Sequence, residues 1–163
     1  GTVLVPLATL WLGGFLFGWA KPVPVNFGNL RHPKRDMLWV AAAGPGSNFV
    51  MAVGWAFALG LASAGGALPS AGLQYMSFVG VVINVSLMVL NLLPILPLDG
   101  GRIALSLLPR SLAIPYSNTE RYGFMLVIVL LVTGALGVAM RPLFRLAVAA
   151  IEAITGVDLP AGL

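Results

Sequence analysis

Long runs without any charge, separated by short basic segments, organise this chain. Gly1 to Ala20 is uncharged and ends in Gly13-Gly14-Phe15-Leu16-Phe17-Gly18-Trp19-Ala20, with aromatics where a membrane interface would want them. This predicts a first span near 1–20, slightly interrupted by Pro6. Between Asp36 and Asp99 lie 62 uncharged residues, too many for one span of about 20 residues and about right for two with a turn. The small-residue stretch Ser63 to Gly72 breaks them into spans near 37–62 and 74–96, a helical hairpin. Tyr122 to Met140 is another uncharged run and predicts a span near 122–140. Arg141-Pro142 then opens a C-terminal amphipathic helix with Arg145 and Glu152 near its polar side. Asp99 to Pro109 reads as a short amphipathic stretch, followed by a loop holding Arg110, Glu120 and Arg121. Residues 21–36, with Pro22, Pro24, Pro33 and most of the early charge, read as a basic extended loop.

The expected fold is therefore an all-α polytopic membrane protein. Residues 1–163 form a single membrane-embedded domain of about four transmembrane helices, a short extended loop and a C-terminal amphipathic helix. Composition agrees: 59% of the 163 residues are apolar before the 20 glycines are counted, and 9% are charged, whereas soluble domains run near 25% charged. The lipid bilayer is the first implied partner. A formal charge of +4 would point to nucleic acid in a soluble chain, but here the cations lie between apolar runs, where they orient the protein, so nucleic-acid binding is disfavoured. The 21–36 loop has four Lys or Arg, the 98–121 loop three and the 63–73 turn none, which puts the two basic loops on the cytoplasmic side. Arg141 and Arg145 then lie opposite, against the rule. With no cysteine, disulfides, thiolate metal sites and cysteine nucleophiles are excluded. There is one histidine. The chain opens at Gly1 without an initiator methionine and reads like the inside of a longer protein.

An ionisable group at the edge of a long apolar span is costly to hold there, which makes Asp99 a functional candidate. It closes the stretch Asn91-Leu92-Leu93-Pro94-Ile95-Leu96-Pro97-Leu98-Asp99-Gly100-Gly101-Arg102. Pro94 and Pro97 each remove a backbone donor and free a carbonyl, tolerable in a membrane only where the segment faces protein or a wet cavity. Gly100 and Gly101 would let the backbone turn sharply after the carboxylate. The competing reading makes Asp99 an N-cap of the helix at 100–108. Ala41-Ala42-Ala43-Gly44-Pro45-Gly46-Ser47 forms a small-lined surface for close helix packing, with Asn48 bracing a neighbour and Asn84, in mid-span, acting as helix glue.

Three blocks resemble the site-2 protease family of intramembrane zinc metalloproteases: Gly18-Trp19-Ala20-Lys21-Pro22-Val23-Pro24-Val25-Asn26, Ala43-Gly44-Pro45-Gly46-Ser47-Asn48, and Asn91 to Arg102 with its Asn-x-x-Pro-x-x-Pro-Leu-Asp-Gly-Gly pattern. The resemblance implies an endopeptidase that cleaves transmembrane segments of other proteins, with zinc as cofactor, in the bacterial inner (plasma) membrane. Asp99 then corresponds to the third zinc ligand and Asn91 to the amide that steadies the scissile carbonyl. Lys21, Pro22, Val23, Pro24 and Val25 would pair with an unwound substrate by strand addition or serve as a stiff connector, and Gly44, Asn48, Pro94, Pro97 and Gly100 support the site. The chain departs from the family in having no His-Glu-x-x-His, the source of the other two ligands and the general base. His32, among the cations Arg31, Lys34 and Arg35, reads as a solvated loop histidine. The expectation is a portion of such a protease that lacks its first catalytic helix and is inactive alone. The alternative is a pseudoprotease or non-catalytic membrane subunit, associating with other membrane proteins as a binding or assembly surface. A proton or ion pathway is disfavoured, because Asp99 stands alone as an intramembrane ionisable group.

Overall fold

The computed structural model describes residues 32–64 and 71–159. The predicted span at 1–20, the stretch Lys21 to Val25 and the middle of the 63–73 turn lie outside the described residues. Among the described residues every regular element is helical, as the all-α reading expects: α1 (Pro33–Ser63), α2 (Ala71–Leu92), α3 (Asp99–Leu107), α4 (Arg110–Ser117), α5 (Glu120–Val132) and α6 (Ala135–Thr155).

α1 begins inside the segment expected to be loop. Pro33 sits in its first turn, where the missing N–H costs nothing, and the Asp36 carboxylate reaches back to accept the His32 backbone N–H at 3.0 Å. A carboxylate in the first turn also complements the helix dipole. α1 and α2 are long and apolar enough to cross a membrane and pair as the expected antiparallel hairpin. Its turn end is tied by the Gln74 side-chain N–H donating to the Ala62 carbonyl at 3.0 Å. Further along, the Trp55 indole lies on Gly80, where a Cβ would stand 2.5 Å from ring carbons.

The core is made of small and branched side chains, Ala52, Ala56 and Leu59 of α1 against Val81, Val85, Met88 and Val89 of α2, closed by Ala147 and Ile151 of α6 and by Leu159. Large side chains point outward instead, Leu61 at 76% and Val132 at 81% exposure. Lipid solvates these faces as well as a core would, and helix contacts in a bilayer are best where backbones come close. Asn84 is buried, but its amide donates to the Gly80 carbonyl of its own helix at 2.8 Å, so this bond stays within α2 and does not bridge helices.

The C-terminal part differs from the sequence reading. The run expected as one span at 122–140 is broken at Thr133-Gly134, where Gly134 has φ 75°, a conformation that glycine adopts without a Cβ penalty. α5 and α6 meet there at 91°. α6 therefore starts at Ala135, before Arg141, and carries Pro142 inside it. Among the described residues two helices are long and apolar enough to cross a membrane, or three spans if the bent pair counts as one broken span. The 98–121 segment holds a second short helix, α4, where only loop is expected.

Gly54, with open space around it, and Gly80, under the Trp55 ring, give the test of this packing. Gly54→Ala is expected to stabilise the purified protein in detergent by up to about 1 kcal/mol. Gly80→Ala is expected to destabilise it by about 1–3 kcal/mol through overpacking. Thermal unfolding followed by far-ultraviolet circular dichroism reads both.

Candidate functional site

The segment after α2 leaves the helix at Leu92, two residues before Pro94, because a residue preceding proline is pushed out of the helical region. Its backbone groups are then satisfied one by one. Leu93 N–H donates to Leu90 O at 3.2 Å, Ile95 N–H to Leu93 O at 2.7 Å and Leu98 N–H to Ile95 O at 2.8 Å. The Tyr116 hydroxyl donates to the Pro94 carbonyl at 2.9 Å. The Leu96–Pro97 peptide is cis. Pro94 and Pro97 are both exposed and lie in a looped link between α2 and α3, not in the end of a span at 96.

Asp99 is the first residue of α3. Leu98 occupies the N-cap without a side-chain bond, so the N-cap reading of Asp99 does not hold. Gly100 and Gly101 do not make a turn either: both are helical, and the glycines with positive φ among the described residues are Gly134 and Gly156. Their role is proximity. A Cβ at Gly100 would run into the Leu92 and Leu93 carbonyls, and one at Gly101 would stand 2.6 Å from Ile95 C and Leu96 N. From the other side, a Cβ at Gly123 of α5 would overlap the Leu96 carbonyl. The link 92–97 is thus clasped between the backbones of α3 and α5.

This seat brings the Asp99 carboxylate onto α1. A Cβ at Gly44 would be 2.5 Å from Asp99 Oδ2, whereas one at Gly46 would meet nothing. Of the two glycines around Pro45, only Gly44 is there for contact. Pro45 is buried and leaves the Ala41 carbonyl without its helical donor. The hairpin pairs Gln74 with Ala62 and Gly80 with Trp55, and α2 runs on from there to Asn91 in its last turn. Asn48 stands one turn beyond Gly44 along the same face of α1. Asn91, Asn48 and Asp99 are all partly buried, and none makes a side-chain hydrogen bond among the described residues.

Burial raises the Asp99 carboxyl pKa from its ordinary value, opposed by the Arg102 guanidinium one turn on. Arg102 is itself paired with Glu120 at 3.7 Å, linking α3 to α5. Sequence reasoning passed over Tyr116 and Gly123, and it read Gly101 as a turn residue when its role is close approach. His32 is exposed at the head of α1. Among the described residues no three His, Cys, Asp or Glu side chains gather as a metal site.

Residues 59–134, which include the Asn91 to Arg102 block, match peptidase family M50. The chain is 37% identical over 137 residues to a Bacillus subtilis (strain 168) protein named "Putative zinc metalloprotease YwhC". The match covers 82% of this chain and 59% of that relative, so the chain spans less than two thirds of its length. No solved structure matches the chain.

The absence of native cysteine makes the geometry directly testable. Gly44→Cys paired with Asp99→Cys is expected to cross-link under mild oxidation, since a disulfide needs Cβ atoms about 4 Å apart. Asn91→Cys with Gly54→Cys is expected to stay reduced. Mass spectrometry of digested protein distinguishes the cases.

Proposed function

Because the chain belongs to peptidase family M50, the site-2 proteases, we propose that it forms the larger part of an intramembrane zinc endopeptidase that cleaves transmembrane segments of other membrane proteins. The observation that carries this reading is the meeting of Asp99 with Gly44. A carboxylate not spent on a hydrogen bond among the described residues stands against the face of a long apolar helix.

A catalytic zinc takes three protein ligands and keeps a fourth position open. This chain's residues do not satisfy that by themselves, since its one histidine heads α1 and no three ligating side chains gather among the described residues. Asp99 suits one of the three places: its carboxylate is not spent on a hydrogen bond among the described residues and is held against a helix face with no intervening side chain. In this reading two histidines and a general base, on a His-Glu-x-x-His helix, come from polypeptide outside these 163 residues, and the chain alone is inactive. Zinc held there would supply Lewis acidity and a hydroxide nucleophile near neutral pH.

The chain's own contributions are positional. Asp99 holds one corner of the site, Asn91 offers an N–H to the scissile carbonyl oxygen as charge develops on it, and Gly44 keeps the approach open. Lys21 to Val25, outside the described residues, would align an unwound substrate by strand addition. The setting is the bacterial inner (plasma) membrane, with the 21–36 and 98–121 loops cytoplasmic, an orientation supported by the charge bias. Other membrane subunits are further partners in this reading.

In the full-length protein, Asp99→Asn is expected to abolish cleavage of a membrane-embedded reporter while protein levels hold. Asn91→Ala is expected to lower turnover about 10²- to 10³-fold, the size of one oxyanion donor. Gly44→Ala should impair cleavage and Gly46→Ala should not. Full activity in Asp99→Asn removes the ligand assignment and favours a non-catalytic subunit. For the orientation, single cysteines at positions 31 and 68 are expected to react with an impermeant thiol reagent from opposite sides of the membrane. Labelling from one side overturns it.

A further inference from the structure

A second polar feature lies at the head of α1, apart from the Asp99 site. His32, Pro33, Lys34, Arg35 and Arg110 line an open cleft of about 570 Å³, and no acidic side chain is among them. The cleft exists because Lys34 reaches across to the α3–α4 junction, its ammonium donating to the Leu108 carbonyl at 2.7 Å. That bond draws the start of α4, with Arg110 as its first residue, up to the start of α1. The nearest acid on α1, Asp36, is turned to the His32 backbone N–H. Arg35 and Arg110 make no ion pair or hydrogen bond among the described residues. Two guanidinium groups and an ammonium thus line a space with no acidic side chain among its described lining residues.

The depth of the cleft identifies its occupant. Arg35 sits two residues before the uncharged run of α1, with Asp36 between, and Trp39, one turn on, is 65% exposed, in the manner of an indole at the headgroup level. The cations therefore lie in the layer that holds lipid phosphates. Guanidinium forks bind phosphate oxygens two at a time, and basic pockets beside membrane helices bind anionic headgroups. We propose that this cleft is a binding site for the phosphate of an anionic phospholipid, which bridges the first turns of α1 and α4.

The test uses the full-length protein in neutral detergent, with bound lipid counted by native mass spectrometry as phosphatidylglycerol or phosphatidylcholine is added. Wild-type protein is expected to prefer phosphatidylglycerol at least tenfold. Arg35→Gln and Arg110→Gln should each weaken that binding about fivefold, Arg35→Lys with Arg110→Lys should keep most of it, and Arg145→Gln, in α6, should leave it unchanged. Undiminished binding in the Arg35→Gln, Arg110→Gln double variant overturns the site, as does an equal loss in Arg145→Gln, which would mark a diffuse charge effect. Displacement of the lipid by millimolar inorganic phosphate, or by an acidic peptide at lipid-like concentrations, overturns the lipid assignment in favour of a soluble anion or a protein partner.

Discussion

Inside a bilayer, helices gain nothing from leaving lipid for one another, and what holds them is close packing together with the obligation to satisfy every backbone polar group. In this chain both demands meet at the link between α2 and α3. Its proline-rich course cannot continue a helix, so its carbonyls and amides close on one another in turns and on the Tyr116 hydroxyl. The same link is gripped by glycines. Gly100, Gly101 and Gly123 bring two helix backbones against it, and any side chain at these positions would force them apart. The position of Asp99 is a by-product of that grip.

From there the arrangement propagates outward. With α3 seated on the link, its first side chain meets α1 where Gly44 leaves room. The Arg102–Glu120 pair joins α3 to α5. An exposed pair of this kind adds little stability, but it places a cation beside the carboxylate and engages it elsewhere, so that Asp99 feels the charge without being consumed by it. Lys34 performs a similar tie at the other end of α3, to the Leu108 carbonyl. The short helix is thus located by backbone contact and a few long side chains, while the α1–α2–α6 core, built of alanine and valine, provides the rigid wall behind it.

Much of this was legible because charge is so scarce. Asp36 and Asp99 bracket the hairpin, and the small-residue break between them marks its turn, so α1 and α2 were visible from spacing. Asp99 and Asn91 stood out as polar groups beside paired prolines. What the sequence concealed was the use of each glycine. Gly100 and Gly101 suggest a turn when only neighbours along the chain are known, and their actual contacts, with residues 92–96, are tertiary. Gly123 and Gly134 sit in one apolar run, yet one serves close approach and the other a 91° bend. Asn84 could bond across helices or back along its own, and composition does not distinguish the two. The helix α4 was hidden because Pro115 inside it reads as a breaker.

The length of α1 has its own consequence. At about 1.5 Å per residue, Gly44 lies about 14 Å along the helix from Arg35, while the hydrocarbon layer is about 30 Å thick. On the proposed reading, a peptide bond presented to Asp99 would be met within one leaflet, nearer the headgroups than the opposite surface. Water would then travel only that short distance to reach it, and a transmembrane substrate would need to unwind only near one of its ends.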